Sequence, residues 1–281
     1  VEANAETLRE LCVYGDLLWI SPIRVLRDLT HLELVYAMHL DNISLLFHHS
    51  VQLESLTIMP PPLAGETVFQ IFKSDPKALP HLTSLKIINP GRTLTDEQID
   101  AFTVFVQKKW KLRRLDLLVT CDWKRLIPVL SAVGKLEHLK VLGFQLESSV
   151  EDAWPDDLSC FREYLPPNLT ALRLGTYILK TLDDTRWIQL FTRCANLRFL
   201  HFSGHGITWL TPHDFCYALG DLELISKNDN FMRVERVDDE VELSPPWSLR
   251  KVMFATVEDF GCADWEWVMR YHLWELGTRP I

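Results

Sequence analysis

The chain has 281 residues, of which 47% are hydrophobic and 24% charged, and its formal charge is −9. Those proportions suit a folded chain with a sizeable core, while the acidic excess argues against a general nucleic-acid binder, which needs a cationic footprint to displace counterions from phosphate. No apolar run approaches the length of a membrane span, and the six cysteines are widely spaced without a C-x-x-C pair, which suits reduced thiols in a cytoplasmic or nuclear protein.

Along the chain one short phrase recurs: leucine, two residues, leucine, one residue, apolar residue. It reads LRELCV from Leu8, LTHLEL from Leu29, LESLTI from Leu53, LTSLKI from Leu82, LRRLDL from Leu112, LKVLGF from Leu139, LTALRL from Leu169 and LRFLHF from Leu197. The steps between starts are 21, 24, 29, 30, 27, 30 and 28 residues, at or beyond the upper half of the range for leucine-rich repeats. LGDLEL from Leu219 reads as a doubtful further copy and LRKVMF from Leu249 as a degenerate last one.

In each phrase the closing apolar positions alternate, as a short strand with one buried face requires. The intervals read as helices. Ile43 to Phe47 is the first. Thr95 opens another as N-cap, with Gln98 at the capping-box position and Ile99, Phe102, Val106 and Trp110 at helical spacing. Trp123 to Leu136, Asp157 to Leu165 and Asp184 to Cys194 follow. The basic cluster Lys108, Lys109, Lys111, Arg113 and Arg114 around Trp110 fits a solvated helix end. Between Leu222 and Pro246 the pattern lapses into an acidic excursion or a long hairpin. From Glu258 to Leu276 an aromatic segment places Trp267, Tyr271 and Trp274 on one helical stripe, the signature of a capping helix.

A unit of strand, turn, helix and return can bury its leucines only against its neighbours. The expected fold is therefore an α/β leucine-rich-repeat solenoid, a horseshoe with a parallel sheet on the concave face and helices on the convex face. About nine to ten irregular repeats would occupy residues 1–257, with a C-terminal capping helix over 258–281. The first phrase begins at once, with no polar capping unit before it, which leads us to expect that the natural protein extends upstream of Val1.

The phrase CANLRFLHF, Cys194 to Phe202, resembles the cysteine-containing repeat of F-box/leucine-rich-repeat proteins of the irregular fungal type, and LTDEQIDAF resembles the helix-opening segment of that class. The likeness runs from about Leu8 to Phe254. The position eight after each first leucine holds Asp16, Ala37, Pro61, Pro90, Thr120, Glu147, Tyr177 and His205, so no asparagine ladder is present, and the chain contains no F-box. The resemblance implies a substrate-recognition part of an F-box-type ubiquitin-ligase adaptor, with an upstream F-box docking the Skp1 subunit of a cullin ligase.

Strand geometry would then project one column of residues from the concave face. The expected protein-binding set is Glu10, Cys12, Tyr14, His31, Glu33, Thr57, Lys86, Arg114, Asp116, Arg173, Phe199, His201, Lys251 and Met253. Mixed charge with an aromatic suits a protein partner better than a polyanion. No catalytic residue, metal or cofactor is expected: the sequence has no G-x-S-x-G, P-loop, G-x-G-x-x-G or H-E-x-x-H signature. Two other readings stand beside the ligase adaptor, a leucine-rich-repeat scaffold or inhibitor with no ubiquitin link, and an enzyme whose site would lie near His201 and His205.

Overall fold

The computed structural model describes residues 8–15, 26–36, 43–59, 65–120, 123–147, 159–177, 184–205, 211–238 and 240–272. The fold is α/β, with a mostly parallel sheet, and the chain forms two compact units, Val1–His138 and Leu139–Ile281.

The first unit contains β1 (Glu10–Tyr14), β2 (His31–Val35), α1 (Ile43–His49), β3 (Ser55–Met59), α2 (Gly65–Ser74), β4 (Ser84–Thr93), α3 (Asp96–Gln107), β5 (Arg114–Thr120) and α4 (Trp123–Val133). The strands pair in chain order and all in parallel. The leucine phrase sets that register: Leu11, Leu32, Leu56, Leu85 and Leu115 stand side by side. Leu32 to Leu115 in that row are fully buried. Period-two alternation sends them to the face away from the row that carries Cys12 and Lys86. Behind them, Phe47, Phe69, Phe72, Phe102 and Phe105 of α1–α3 form an aromatic chain, Phe72 stacking on Phe105 at 4.1 Å between centroids.

The second unit contains β6 (Val141–Glu147), α5 (Ser159–Tyr164), β7 (Ala171–Tyr177), α6 (Asp184–Phe191), β8 (Phe199–His205), α7 (Pro212–Ala218), β9 (Leu224–Lys227), β10 (Asn230–Val237), β11 (Glu240–Leu243), α8 (Leu249–Met253), α9 (Val257–Phe260) and α10 (Ala263–Met269). Strands β6 to β9 are parallel, while β10 and β11 continue the sheet as antiparallel hairpins. The β9–β10 turn holds Asn228 and Asp229 at φ of 48° and 63°, the type I′ pattern whose twist matches that of paired strands. Phe202 packs between Phe191 of α6 and Phe215 of α7, which identifies the helix-covered face.

One backbone motif recurs in both units. The carbonyl after the first leucine of a phrase accepts two successive N–H groups from the next phrase: Arg9 from Thr30 and His31, Thr30 from Glu54 and Ser55, Thr170 from Arg198 and Phe199, and Arg198 from Glu223 and Leu224. The last case corrects the register of the doubtful copy, whose first leucine is Leu222 rather than Leu219. Leu219 instead occupies the place that Cys194 takes before the preceding phrase, each carbonyl accepting from the N–H three residues on.

Three further expectations need revision. LRKVMF is not a strand: the Ser248 side chain accepts from Lys251 N at 3.2 Å and starts α8, so Lys251 and Met253 sit on a helix. The single C-terminal helix is broken, because α9 ends on Gly261 at φ 93°, a left-handed C-cap that glycine adopts without a Cβ clash. Of its stripe, Trp267 is buried on α10, Tyr271 lies beyond the helix at φ 72°, and Trp274 falls outside the described residues. Trp110 likewise lies past α3 and is exposed. The Thr95 capping box is present, Thr95 N donating to Gln98 Oε1 at 2.9 Å.

The C-terminal helices are not placed at the end of the sheet. Helix α10 packs on β6 and β7, and its Trp265, Trp267, Val268 and Met269 join Val141, Ala171, Phe199 and Leu224 in one apolar cluster. In the second unit the face that the sequence assigns to a partner is thus covered by the unit's own C-terminal segment.

Candidate functional site

The middle residue of each strand phrase falls in a single register row. In the first unit that row is Cys12, Glu33, Thr57, Lys86 and Asp116. Exposure falls steadily along it: Cys12 is exposed, Glu33 half-buried, Thr57 buried, and Lys86 and Asp116 each only 1% exposed. Lys86 Nζ lies 3.0 Å from Asp116 Oδ2. Charges removed from water persist only when matched in this way, since either one alone would carry its desolvation cost uncompensated.

The flanking positions follow the same gradient. Glu10, Tyr14 and His31 are exposed and Arg114 is half-buried. His31 Nδ1 lies 3.0 Å from Thr30 Oγ1 and 4.0 Å from Glu10 Oε1. The residues Glu10, Cys12, Tyr14 and His31, with Glu33 beside them, therefore form an open patch on β1 and β2 carrying acidic, aromatic and imidazole groups.

In the second unit the corresponding row is Gly143, Arg173, His201 and Ser226, and all four are buried. Phe199, the aromatic of the expected binding column, is a core residue that stacks on Phe231 and Trp265. Lys251 is exposed on α8, its Nζ 4.3 Å above the Trp247 ring and 3.6 Å from Asp259 Oδ1, and Met253 is half-buried. Of the expected column, Arg173, Phe199, His201, Thr57, Lys86 and Asp116 do not face solvent.

His201 has company that the sequence does not reveal. Its Nδ1 is 3.0 Å from Ser226 Oγ, its ring stacks on Phe231, and His272 meets it edge-on at 4.6 Å between centroids. Asp229, from the β9–β10 turn, reaches both imidazoles: its Oδ1 lies 3.3 Å from His272 Nε2 and 3.9 Å from His201 Nε2. Burial, followed by the His272 and Arg173 charges, drives the His201 imidazole well below its ordinary range and holds it neutral. Of the other polar residues that follow β8, His213 is exposed, and Asp214 serves the α7 capping box by accepting from Thr211 N and Oγ1. The His205 side chain lies outside the described residues.

Cys194 packs inward as its repeat position suggests, donating to the Pro166 carbonyl at 3.5 Å, and burial pushes its thiol up to about 12. Cys216 is raised likewise to about 12 by burial. Neither thiol can supply a thiolate nucleophile near neutral pH. Lys109, from the basic cluster, is buried too: its Nζ donates to the carbonyls of Pro76 and Ala78 at 3.0 and 2.5 Å, and burial lowers it to about 8. Among the described residues no helix is long and apolar enough to cross a membrane.

In comparison with known proteins, no family model and no curated protein sequence matches the chain.

Proposed function

We propose that this chain is a protein-interaction module built as a leucine-rich-repeat solenoid, and that it serves as the substrate-recognition part of an F-box-type ubiquitin-ligase adaptor. The observation that carries the binding reading is the open patch on β1 and β2, where Glu10, Cys12, Tyr14 and His31 stand exposed on the sheet face opposite the buried leucines. Tyr14 is 54% exposed, and a tyrosine among charged neighbours is the composition that anchors protein partners. The patch replaces the longer column read from the sequence, because Arg173, Phe199 and His201 are committed to internal contacts. The ligase link rests on the Cys194–Phe202 resemblance. Under this reading the module performs no chemistry; it holds a target close to a ligase that does.

The test is affinity purification of the product of the full natural reading frame, with mass spectrometry of what co-purifies. Recovery of Skp1 and a cullin, together with further proteins lost on Tyr14→Ala and Glu10→Ala, is the expected result. Reproducible absence of Skp1 and cullin from a folded preparation would leave a repeat scaffold or inhibitor. Retention of every partner by the patch variants would move the binding surface elsewhere.

A further inference from the structure

The three groups that meet beside β8 come from distant stretches of the chain: His201 from the strand itself, Asp229 from the β9–β10 turn, and His272 from just after α10. One donor atom from each of His201, Asp229 and His272 lies within 4.8 Å of the other two. His201 is completely buried, its Nε2 has no hydrogen-bond partner, and neither does Asp229 Oδ1. Asp229 Oδ1 has the two imidazoles within 3.3 and 3.9 Å but no hydrogen bond to either, and two buried polar atoms left without hydrogen bonds around one point would be costly if nothing else came there.

We propose that His201, Asp229 and His272 form a binding site for a transition-metal dication of the zinc class. In a tetrahedral zinc site with bonds of about 2.0–2.1 Å, neighbouring donor atoms stand about 3.4 Å apart. The Asp229–His272 edge, at 3.3 Å, already has that span, and the Asp229–His201 edge, at 3.9 Å, must close by about half an ångström. The remaining ring nitrogen of His201 is held by Ser226 Oγ at 3.0 Å. Such an outer hydrogen bond fixes the ring and leaves the Nε2 lone pair for the metal. Two imidazoles and one carboxylate favour zinc, cobalt or nickel over calcium or magnesium, which require mostly oxygen donors. Asp229 is 22% exposed and gives the ion a route in and a fourth position for water. Arg173, the register neighbour of His201, opposes a cation and keeps the affinity below that of closed four-ligand sites. The ion would tie the residue after α10 to the turn and the strand beneath it, fastening the C-terminal helices over the sheet.

The test uses the full chain, stripped with a chelator and dialysed, then titrated with zinc ions alone by calorimetry and with cobalt ions by visible absorption. The expected result is a single equivalent of metal, the intense cobalt bands of a tetrahedral nitrogen–oxygen site, and a thermal midpoint raised by zinc and lowered again by chelator. His272→Ala and the near-isosteric Asp229→Asn should each weaken zinc binding by roughly tenfold or more and abolish the midpoint shift, with circular dichroism unchanged. The chain carries ten histidines, so binding that survives both variants, or needs His48 and His49 instead, overturns the proposal. So does the absence of stoichiometric binding to the wild-type chain, an outcome independent of whether any variant folds.

Discussion

Truncating Trp265 distinguishes a sheet face covered by its own chain from one held open for a partner. Trp265 is 3% exposed; its ring stacks on Phe199 at 5.6 Å and 23°, with the Arg198 and Arg233 guanidinium groups 5.8 and 6.0 Å from it. Replacing a fully packed tryptophan by alanine removes the transfer energy of the ring and leaves a cavity, together about 3–5 kcal/mol. The lost stacking and cation–π contacts fall within that figure. For a chain of this size the change corresponds to a fall in thermal midpoint on the order of 10 °C. Urea unfolding followed by circular dichroism measures the difference directly, and a dye that binds exposed apolar surface should brighten on the variant as Phe199 and Ala171 are uncovered. Trp110→Ala, at a tryptophan 63% exposed, is the control and should change stability by less than about 0.5 kcal/mol. If Trp265→Ala costs no more than that control, α10 does not cover the sheet in solution, and Phe199 returns to the list of partner contacts.

The buried Lys86–Asp116 pair should behave as a unit. Asp116→Ala should destabilise the chain by about 3–5 kcal/mol, while Lys86→Met with Asp116→Leu should recover most of the loss, and equal losses in the single and double variants would refute the pairing. Thiol reactivity should divide by burial: Cys12 should label within minutes in the native protein, whereas Cys194 and Cys216, raised to about 12, should label only on unfolding. Peptide mapping after a timed pulse reads each site, and rapid native labelling of Cys194 would contradict its packing. Lys109 supplies a pH dependence. Its folded value of about 8 lies below the ordinary 10.5, so between about pH 8 and 10.5 the unfolded chain holds more protons. That contribution therefore favours folding increasingly as the pH rises through the window, a trend that Lys109→Met should remove; identical pH profiles for the two proteins would refute the assignment.

For β1 to β8 the strands and, within each unit, their parallel order and register rows were legible in the sequence, because the leucine phrase encodes period-two burial locally and each copy repeats it. The sequence also determined the start of α3, since a capping box is satisfied within four residues. It misplaced Lys251 and Met253 because a short apolar phrase reads alike as strand or helix, and only Ser248, accepting from the Lys251 N–H, decides between them. It could not tell that Arg173, Phe199 and His201 are buried. Alternation says which residues share a face, but what covers that face comes from α8–α10, which follow it in the chain. Nor could it join His201 to Asp229 and His272, whose meeting depends on a hairpin turn and on the helix break at Gly261. Their contact is a product of tertiary packing, in which a broken helix finds its lowest free energy by burying Trp265 and Trp267 against the strands rather than by continuing the stripe its sequence outlines.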